Sequence, residues 1–318
     1  MPERESPPLV VVTGPTASGK SAVALALAER FGGEILNADS MQVYRGLDIG
    51  TAKPSPAERA RVPHHGFDLI DPDESYDAAR YAADGARAVE AIHARGRAVF
   101  VVGGSGLYIR ALLEGLSVGV GRDPELRRAL EAEDARARAD GDPELLHRRL
   151  AAVDPASAAV LHPNDRVRLV RALEVFTRTG RAPSRVQREA CRAPRWRTLH
   201  LALDPGRETL DQRIDRRCEA MLAGGLLQEV RGLRDRGYGP ELPSMRAIGY
   251  RHLQPVVEGS DTLASVLVAM QRDTRQFARR QRTWLRRVAG VEWLDPERRE
   301  AIERRVGDFL GRPQPPEV

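Results

Sequence analysis

Three groups of residues in this chain could carry chemistry. The first is Gly14-x-x-x-x-Gly19-Lys20-Ser21. Its glycines let the backbone turn tightly and bring N–H groups against phosphate oxygens. Lys20 adds a full positive charge, and Ser21 places a hydroxyl suited to Mg²⁺. The second group is a single carboxylate, Asp39, followed by Ser40. The third is Ser105, within Gly103-Gly104-Ser105-Gly106. A carboxylate and a hydroxyl beside a phosphate grip suit deprotonation and orientation of a nucleophile, with diphosphate as leaving group. A nucleotide hydrolase usually has an aspartate closing a later apolar strand, but the run Ala98–Val102 ends in Gly103-Gly104 instead. The phosphate loop alone fits an ATP- or GTP-using enzyme, a small-molecule kinase, a diphosphate-using transferase or a nucleotide-gated RNA-binding protein.

These residues need a scaffold, and the chain supplies one. The apolar run Leu9–Val12 reads as a buried strand, and 22–30 as a helix after the loop. Residues 34–38 read as a second strand, with Asp39 just past its carboxyl end. Ligands of open α/β sheets bind there. Residues 77–95 carry Ala79, Ala82, Ala83, Ala86, Val89 and Ile92 at helical spacing. The strand 98–102 and its glycine loop open another helix, and Thr198–Leu203 returns to strand. The fold expected is α/β, a P-loop, nucleoside-kinase-like parallel sheet. Its core covers 1–120 and 198–318, ending in basic helices, with a helical insertion at 121–197. Within the insertion, Arg166, Arg168, Arg171, Arg178 and Arg181 give one element a basic face. Residues 208–236 read as one helix with Leu210, Ile214, Met221 and Val230 inside. In 260–287, Met270, Phe277 and Trp284 fall every seventh residue and should face the core.

Composition narrows the options. The 318 residues are 42% hydrophobic, enough for a full core and against disorder. No apolar run reaches membrane-span length and no signal peptide is evident, so a cytoplasmic location without membrane contact is expected. Cys191 and Cys218 form neither a metal-ligand spacing nor a disulfide framework. His64 and His65 read as packing residues, because adjacent histidines diverge and no third ligand is spaced with them. The net charge is +5, and of 50 basic residues only Lys20 and Lys53 are lysines. A compact ammonium suits the phosphate loop better than a guanidinium fork, and Lys53 is a candidate second phosphate contact. On 272–287, within the 260–287 stretch, seven arginines accompany a single acid, Asp273. Such a helix repels itself unless an anion lies nearby, which favours nucleic acid.

Several longer motifs agree. Gly14-Pro-Thr-Ala-Ser-Gly-Lys-Ser21, Asp39-Ser-Met-Gln-Val-Tyr44, Asp48-Ile-Gly-Thr-Ala-Lys-Pro54 and Gly103-Gly-Ser-Gly-Leu-Tyr108 come first. His162-Pro-Asn-Asp165, Arg171-Ala-Leu-Glu-Val-Phe176, Pro243–Arg251 and Thr274–Arg286 follow. In this order, over about 9–294, the chain resembles the tRNA dimethylallyltransferase (tRNA isopentenyltransferase) family. The resemblance implies transfer of a dimethylallyl group from dimethylallyl diphosphate to N6 of an adenosine. That adenosine lies 3′ of the anticodon in tRNAs reading codons that begin with U. It implies Mg²⁺ as cofactor, the tRNA anticodon stem-loop as partner, and a monomer. By the same resemblance Asp39 is the general base and Ser105 stands where the family often has threonine. Gly14, Thr16, Ala17, Ser18, Gly19, Lys20, Ser21 and Arg217 hold diphosphate, with Arg213 as a helper and Ser21 on the metal. Asp39, Ser40, Met41, Gln42, Arg168, Arg171, Arg246, Tyr250, Arg251, Arg279 and Arg282 contact tRNA, as does the insertion.

Overall fold

A computed structural model describes residues 6–115, 121–190 and 195–311. Cys191 and the proline-rich tail at 313–316 lie outside the described residues. The chain runs β1 (Pro8–Thr13), α1 (Lys20–Arg30), β2 (Gly33–Asn37), α2 (Pro56–Arg61), β3 (His64–His65), α3 (Ala78–Ala94), β4 (Ala98–Val102) and α4 (Gly106–Glu114). It continues with α5 (Pro124–Ala139), α6 (Leu145–Val153), α7 (Pro155–Val160), α8 (Arg166–Thr179) and α9 (Pro183–Ala190). The remainder is β5 (Arg197–Leu203), α10 (Arg207–Ala223), α11 (Leu226–Asp235), α12 (Tyr250–Val257), α13 (Leu263–Leu285), β6 (Val291–Leu294) and α14 (Arg299–Leu310).

Two compact units result, Met1–Leu113 with Pro194–Val318, and Glu114–Ala193. In the first, a parallel sheet of six strands among the described residues has the order β3-β2-β4-β1-β5-β6. Its central strands β1 and β4 are near-continuous Val, Leu and Phe, as burial on both faces requires, while β2 also buries Glu34 and Asn37. Val10, Val12, Leu27, Phe100, Leu201 and Val306 share one core on one side. The order sets three chain ends side by side. Ala38 donates to the Val102 carbonyl at 2.7 Å, and Gly103 donates to that of Val12 at 3.3 Å. The phosphate loop, Asp39 and Ser105 therefore leave the same edge of adjacent strands.

The second unit is helical. Leu130, Leu146, Leu150, Leu169 and Leu173 form its core, with Glu174 buried beside them. Burial pushes that carboxyl up, but hydrogen bonds from Arg127, the Asp123 N–H and Arg171 bring it down to about 2. The arginines of α8 and the residues just beyond it are paired. Arg166 meets Asp134, Arg168 lies 3.4 Å from Asp165, Arg171 lies 2.5 Å from Glu174, and Arg181 meets Glu189. Arg178 donates to the Gly121 carbonyl.

Three expectations from sequence change. The helix over 208–236 is two helices, α10 and α11, parted at Gly224-Gly225, where Gly225 turns at φ 99. The every-seventh stripe on α13 keeps only Met270 buried. Phe277 is 38% exposed, and the inward positions are Val266, Met270, Thr274, Ala278, Gln281 and Leu285. A 3.6-residue period drifts off a strict seven-residue repeat, so the third and fourth turns roll Phe277 off the core line. Strand β6 was not anticipated; it is four residues long and half-exposed, too short for a period to show.

Candidate active site

The phosphate loop folds as a helix entry without a cap. α1 begins after Gly19 at φ 90, with no side-chain cap and no acid in its first turn. Its first amides and its positive dipole end are left for an anion. Gly14 has φ 147, and a Cβ there would lie 2.5 Å from the Leu203 carbonyl oxygen. A side chain would force the loop off β5. Ala17 turns through φ 63. The Ser18 N–H donates to the Pro15 carbonyl at 3.2 Å, and its hydroxyl is buried without a hydrogen-bond partner.

Two cavities meet at this edge. The smaller, about 260 Å³, is lined by Thr16, Lys20 and Ser21 together with apolar Leu25, Ile35, Phe67 and Val102. The larger, about 380 Å³, is lined by Ser40, Met41, Ser105, Arg246, Arg251 and Arg280. Thr16, Asp39, Thr51, Arg217, Phe277 and Gln281 line both. The exposed Phe277 is thus a wall between cavities, and the Arg280 guanidinium lies 5.9 Å from its ring centre.

Asp39 is held by its neighbours. Asn37 Oδ1 accepts the Asp39 N–H at 2.9 Å, and Asn37 Nδ2 donates to the Asp39 carbonyl at 3.1 Å. Asp39 Oδ1 accepts the Met41 N–H at 2.9 Å. Ser105 Oγ accepts the Ser40 N–H at 2.9 Å and lies 3.2 Å from Ser40 Oγ. Lys20 and Arg217 complete the field. Burial, reinforced by Arg217 and opposed by Asp39, pulls the Lys20 ammonium down to about 8. Burial likewise lowers Arg217, against the charge of Asp39. Two cations and one carboxylate thus share one junction, with both cations buried.

Other expected contacts fall elsewhere. Lys53 lines the smaller cavity, but its side chain is 2% exposed and its charge is already met by Asp48 at 2.7 Å and Asp68 at 2.5 Å. Tyr250 is fully buried and cannot meet RNA. Its hydroxyl donates to Glu229 at 2.5 Å. Glu229 in turn accepts the N–H groups of Asp48, Ile49 and Gly50. Gln42 reaches the smaller cavity rather than the larger, and its amide donates to the Thr51 and Ala52 carbonyls. Arg282 is 19% exposed, 2.8 Å from Asp204 at the end of β5, so it anchors α13 and is not presented to solvent. Arg279 is exposed on the same helix, and Arg251 lies 2.8 Å from Asp273. Arg213 pairs with Glu297 at 2.5 Å. Arg168 and Arg171 belong to the helical unit and are paired there. His65 lies 2.7 Å from Glu34, in line with a packing role. The sequence reading missed Arg280, Phe277 and Gln281. Gln281 left one trace, a polar residue at an inward position of α13.

The chain is similar to known proteins. The family model described as IPP transferase matches residues 42–288, and that described as isopentenyl transferase matches 7–68. A tRNA dimethylallyltransferase of Anaeromyxobacter dehalogenans is 55% identical over 94% of this chain and 98% of its own. One of Geobacter metallireducens is 51% identical over 93% of this chain and 94% of its own. The crystal structure of a tRNA isopentenylpyrophosphate transferase from Bacillus halodurans superposes with a TM-score of 0.70 at 35% identity, covering 96% and 97% of the two chains. A eukaryotic dimethylallyltransferase acting on tRNA gives 0.81 at 31% identity, over 98% of this chain and 82% of that one.

Proposed function

The chain belongs to the tRNA dimethylallyltransferase family, and from that premise we propose that it moves a dimethylallyl group from dimethylallyl diphosphate to N6 of the adenosine 3′ of the anticodon, in tRNAs reading codons that begin with U. The observation that carries this reading is the pair of cavities meeting at Asp39. The smaller has cationic Lys20, the loop amides and an apolar wall of Leu25, Ile35, Phe67 and Val102, a match for a diphosphate with a short hydrocarbon tail. The larger is rimmed by arginines and suits a base extruded from an RNA loop, which costs a few kcal/mol.

The chemistry follows from the residues at the junction. The adenine amino group is a poor nucleophile, so the allylic carbon must gain cation character as diphosphate departs. Charge then grows on the leaving group, which Lys20, Arg217 and the loop N–H groups stabilise more than they do the ground state. Asp39 takes the N6 proton, and its negative charge favours the neighbouring allylic cation. Ser105 orients the Asp39–Ser40 turn through the Ser40 N–H.

Mg²⁺ fits the donor set. Ser21 and Asp39 bring one hydroxyl and one carboxylate to the smaller cavity, and diphosphate oxygens supply further hard ligands. Among the described residues no cluster of three or more His, Cys, Asp or Glu could hold a metal, so the ion would ride mainly on the diphosphate. When bound it would offset the leaving group's charge. Among the described residues no helix is long and apolar enough to cross a membrane. A tRNA acceptor supports a cytoplasmic location, and one chain lines both cavities, which supports a monomer. The anticodon stem-loop is the tRNA segment that carries the adenosine proposed as acceptor.

The test is direct. The protein is incubated with Mg²⁺, unmodified tRNA and labelled dimethylallyl diphosphate, and the tRNA is digested to nucleosides. Label on N6 of one adenosine is expected. No label in tRNA, together with ATP-dependent phosphorylation of a metabolite, would replace this reading with a small-molecule kinase.

The basic helix gives a second expectation. Arg279→Ala should reduce the slope of log affinity for tRNA against log salt by about 1, as loss of one phosphate contact does. Arg282→Ala, already paired with Asp204, should leave the slope unchanged. Equal slopes for Arg279→Ala and wild type would remove Arg279 from the interface.

A further inference from the structure

Gln281 occupies an unusual position on α13. It is 8% exposed, yet it lines both cavities. Its Oε1 accepts the Thr16 N–H at 2.8 Å, and its Nε2 donates to the Gly104 carbonyl at 3.1 Å. Thr16 belongs to the phosphate loop. Gly104 precedes Ser105, whose N–H donates to the Ala38 carbonyl at 3.0 Å and whose Oγ holds the Ser40 N–H. A continuous set of hydrogen bonds therefore runs from the phosphate loop through Gln281 to the turn that carries Asp39.

Residue types on this path are matched. A Cβ at Gly104 would lie 2.3 Å from Gln281 Nε2, so glycine there is what lets the amide approach. A carboxamide offers one planar donor–acceptor pair without formal charge. It can satisfy an N–H in one loop and a C=O in the other while leaving the field around the departing diphosphate unaltered. The next residue, Arg282, pairs with Asp204 and fixes the same turn of α13 against the end of β5.

We propose that Gln281 is a positioning residue of the transfer reaction: it sets the separation between the phosphate loop and the Asp39–Ser105 wall, and so between leaving group and base. This rests on the prenyl-transfer reading above. It is tested on the full chain with unmodified tRNA, dimethylallyl diphosphate and Mg²⁺ under single-turnover conditions. Gln281→Met removes both hydrogen bonds at similar volume. The transfer rate should fall by about 10- to 100-fold, the scale of an ångström-level misplacement, with the Kd for tRNA unchanged. In Gln281→Glu the ionised carboxylate cannot donate to Gly104, but the protonated acid can. The ratio of its rate to that of wild type should therefore rise as pH falls from about 8 to about 5.5.

A packing role alone would give a Met variant within about two-fold of wild type, inside the spread expected for a volume-conserving swap, and a Glu ratio flat with pH; that pair of results overturns the assignment. Should the Met variant not fold, the Glu ratio decides. A wild type that transfers nothing overturns the functional reading and the strut together. A wild type that transfers, with both variants keeping pace, overturns the strut alone.

Discussion

Replacing Asp39 with asparagine is expected to slow prenyl transfer by about 10²- to 10⁴-fold, the range for removing a general base. Asparagine is the cleaner change because it keeps the oxygen that accepts the Met41 N–H. Asp39→Ala also loses that bond and should be at least as slow. In both variants the affinity for tRNA should stay within a few-fold, since phosphate contacts carry most of it. Single-turnover rates at saturating donor, beside a filter-binding Kd, separate the two effects. An Asn variant turning over within a few-fold of wild type would end the general-base role. Asp39 would then act only in shaping its turn.

The second large effect concerns Lys20. Lys20→Ala should lower kcat/KM for the donor by about 10²- to 10³-fold, as removal of a preorganised stabiliser of developing charge does. Lys20→Arg should not rescue it, because the guanidinium fork crowds a loop built around a compact ammonium. The pH dependence has a definite sign. With its ammonium held at about 8, Lys20 is charged below that value and neutral above it. In the free enzyme kcat/KM for the donor should therefore fall as pH rises through about 8. Saturating donor should push the fall to higher pH, since bound diphosphate favours the charged form. A profile flat to pH 10 would mean that no group titrating near 8 holds the diphosphate, and the loss in Lys20→Ala would then decide the role of Lys20.

Much of the fold could be read from sequence because its signals are local. Buried strand, glycine loop and helix follow one another over 8–30, and again over 98–114. Asp39 and Ser105 were accessible for the same reason, as residues just past strand ends. What escaped depends on distant partners. Gln281 is 265 positions from the loop it bonds, and neither spacing nor period announces such a bond. Lys53 looked like a phosphate ligand because a rare lysine near a glycine-rich turn suggests one. Its partner Asp68 arrives only when the Met41–Pro54 segment folds back. Tyr250 read as an RNA contact through the family resemblance, while Glu229, the acid that holds it, lies on another helix. Charge counts likewise overstated the free cations. Arg166, Arg178 and Arg282 meet an acid or carbonyl brought in from elsewhere in the chain, and Arg168 and Arg171 pair with acids three residues away.

Arginine dominates the basic residues so heavily that the chain has two lysine side chains, and the fold treats them oppositely. Lys53 is sealed between carboxylates at 2% exposure. Lys20 opens into the smaller cavity with its ammonium near 8, so at mildly alkaline pH a sizeable fraction is a free amine. Guanidinium groups do not react with acylating reagents under those conditions. An amine-selective label thus meets one receptive lysine side chain, and it is the one in the phosphate loop. Beside the chain's α-amino group, which reacts in the same range, Lys20 is thus the position where a reporter group can be attached without engineering, and bound diphosphate would shield it.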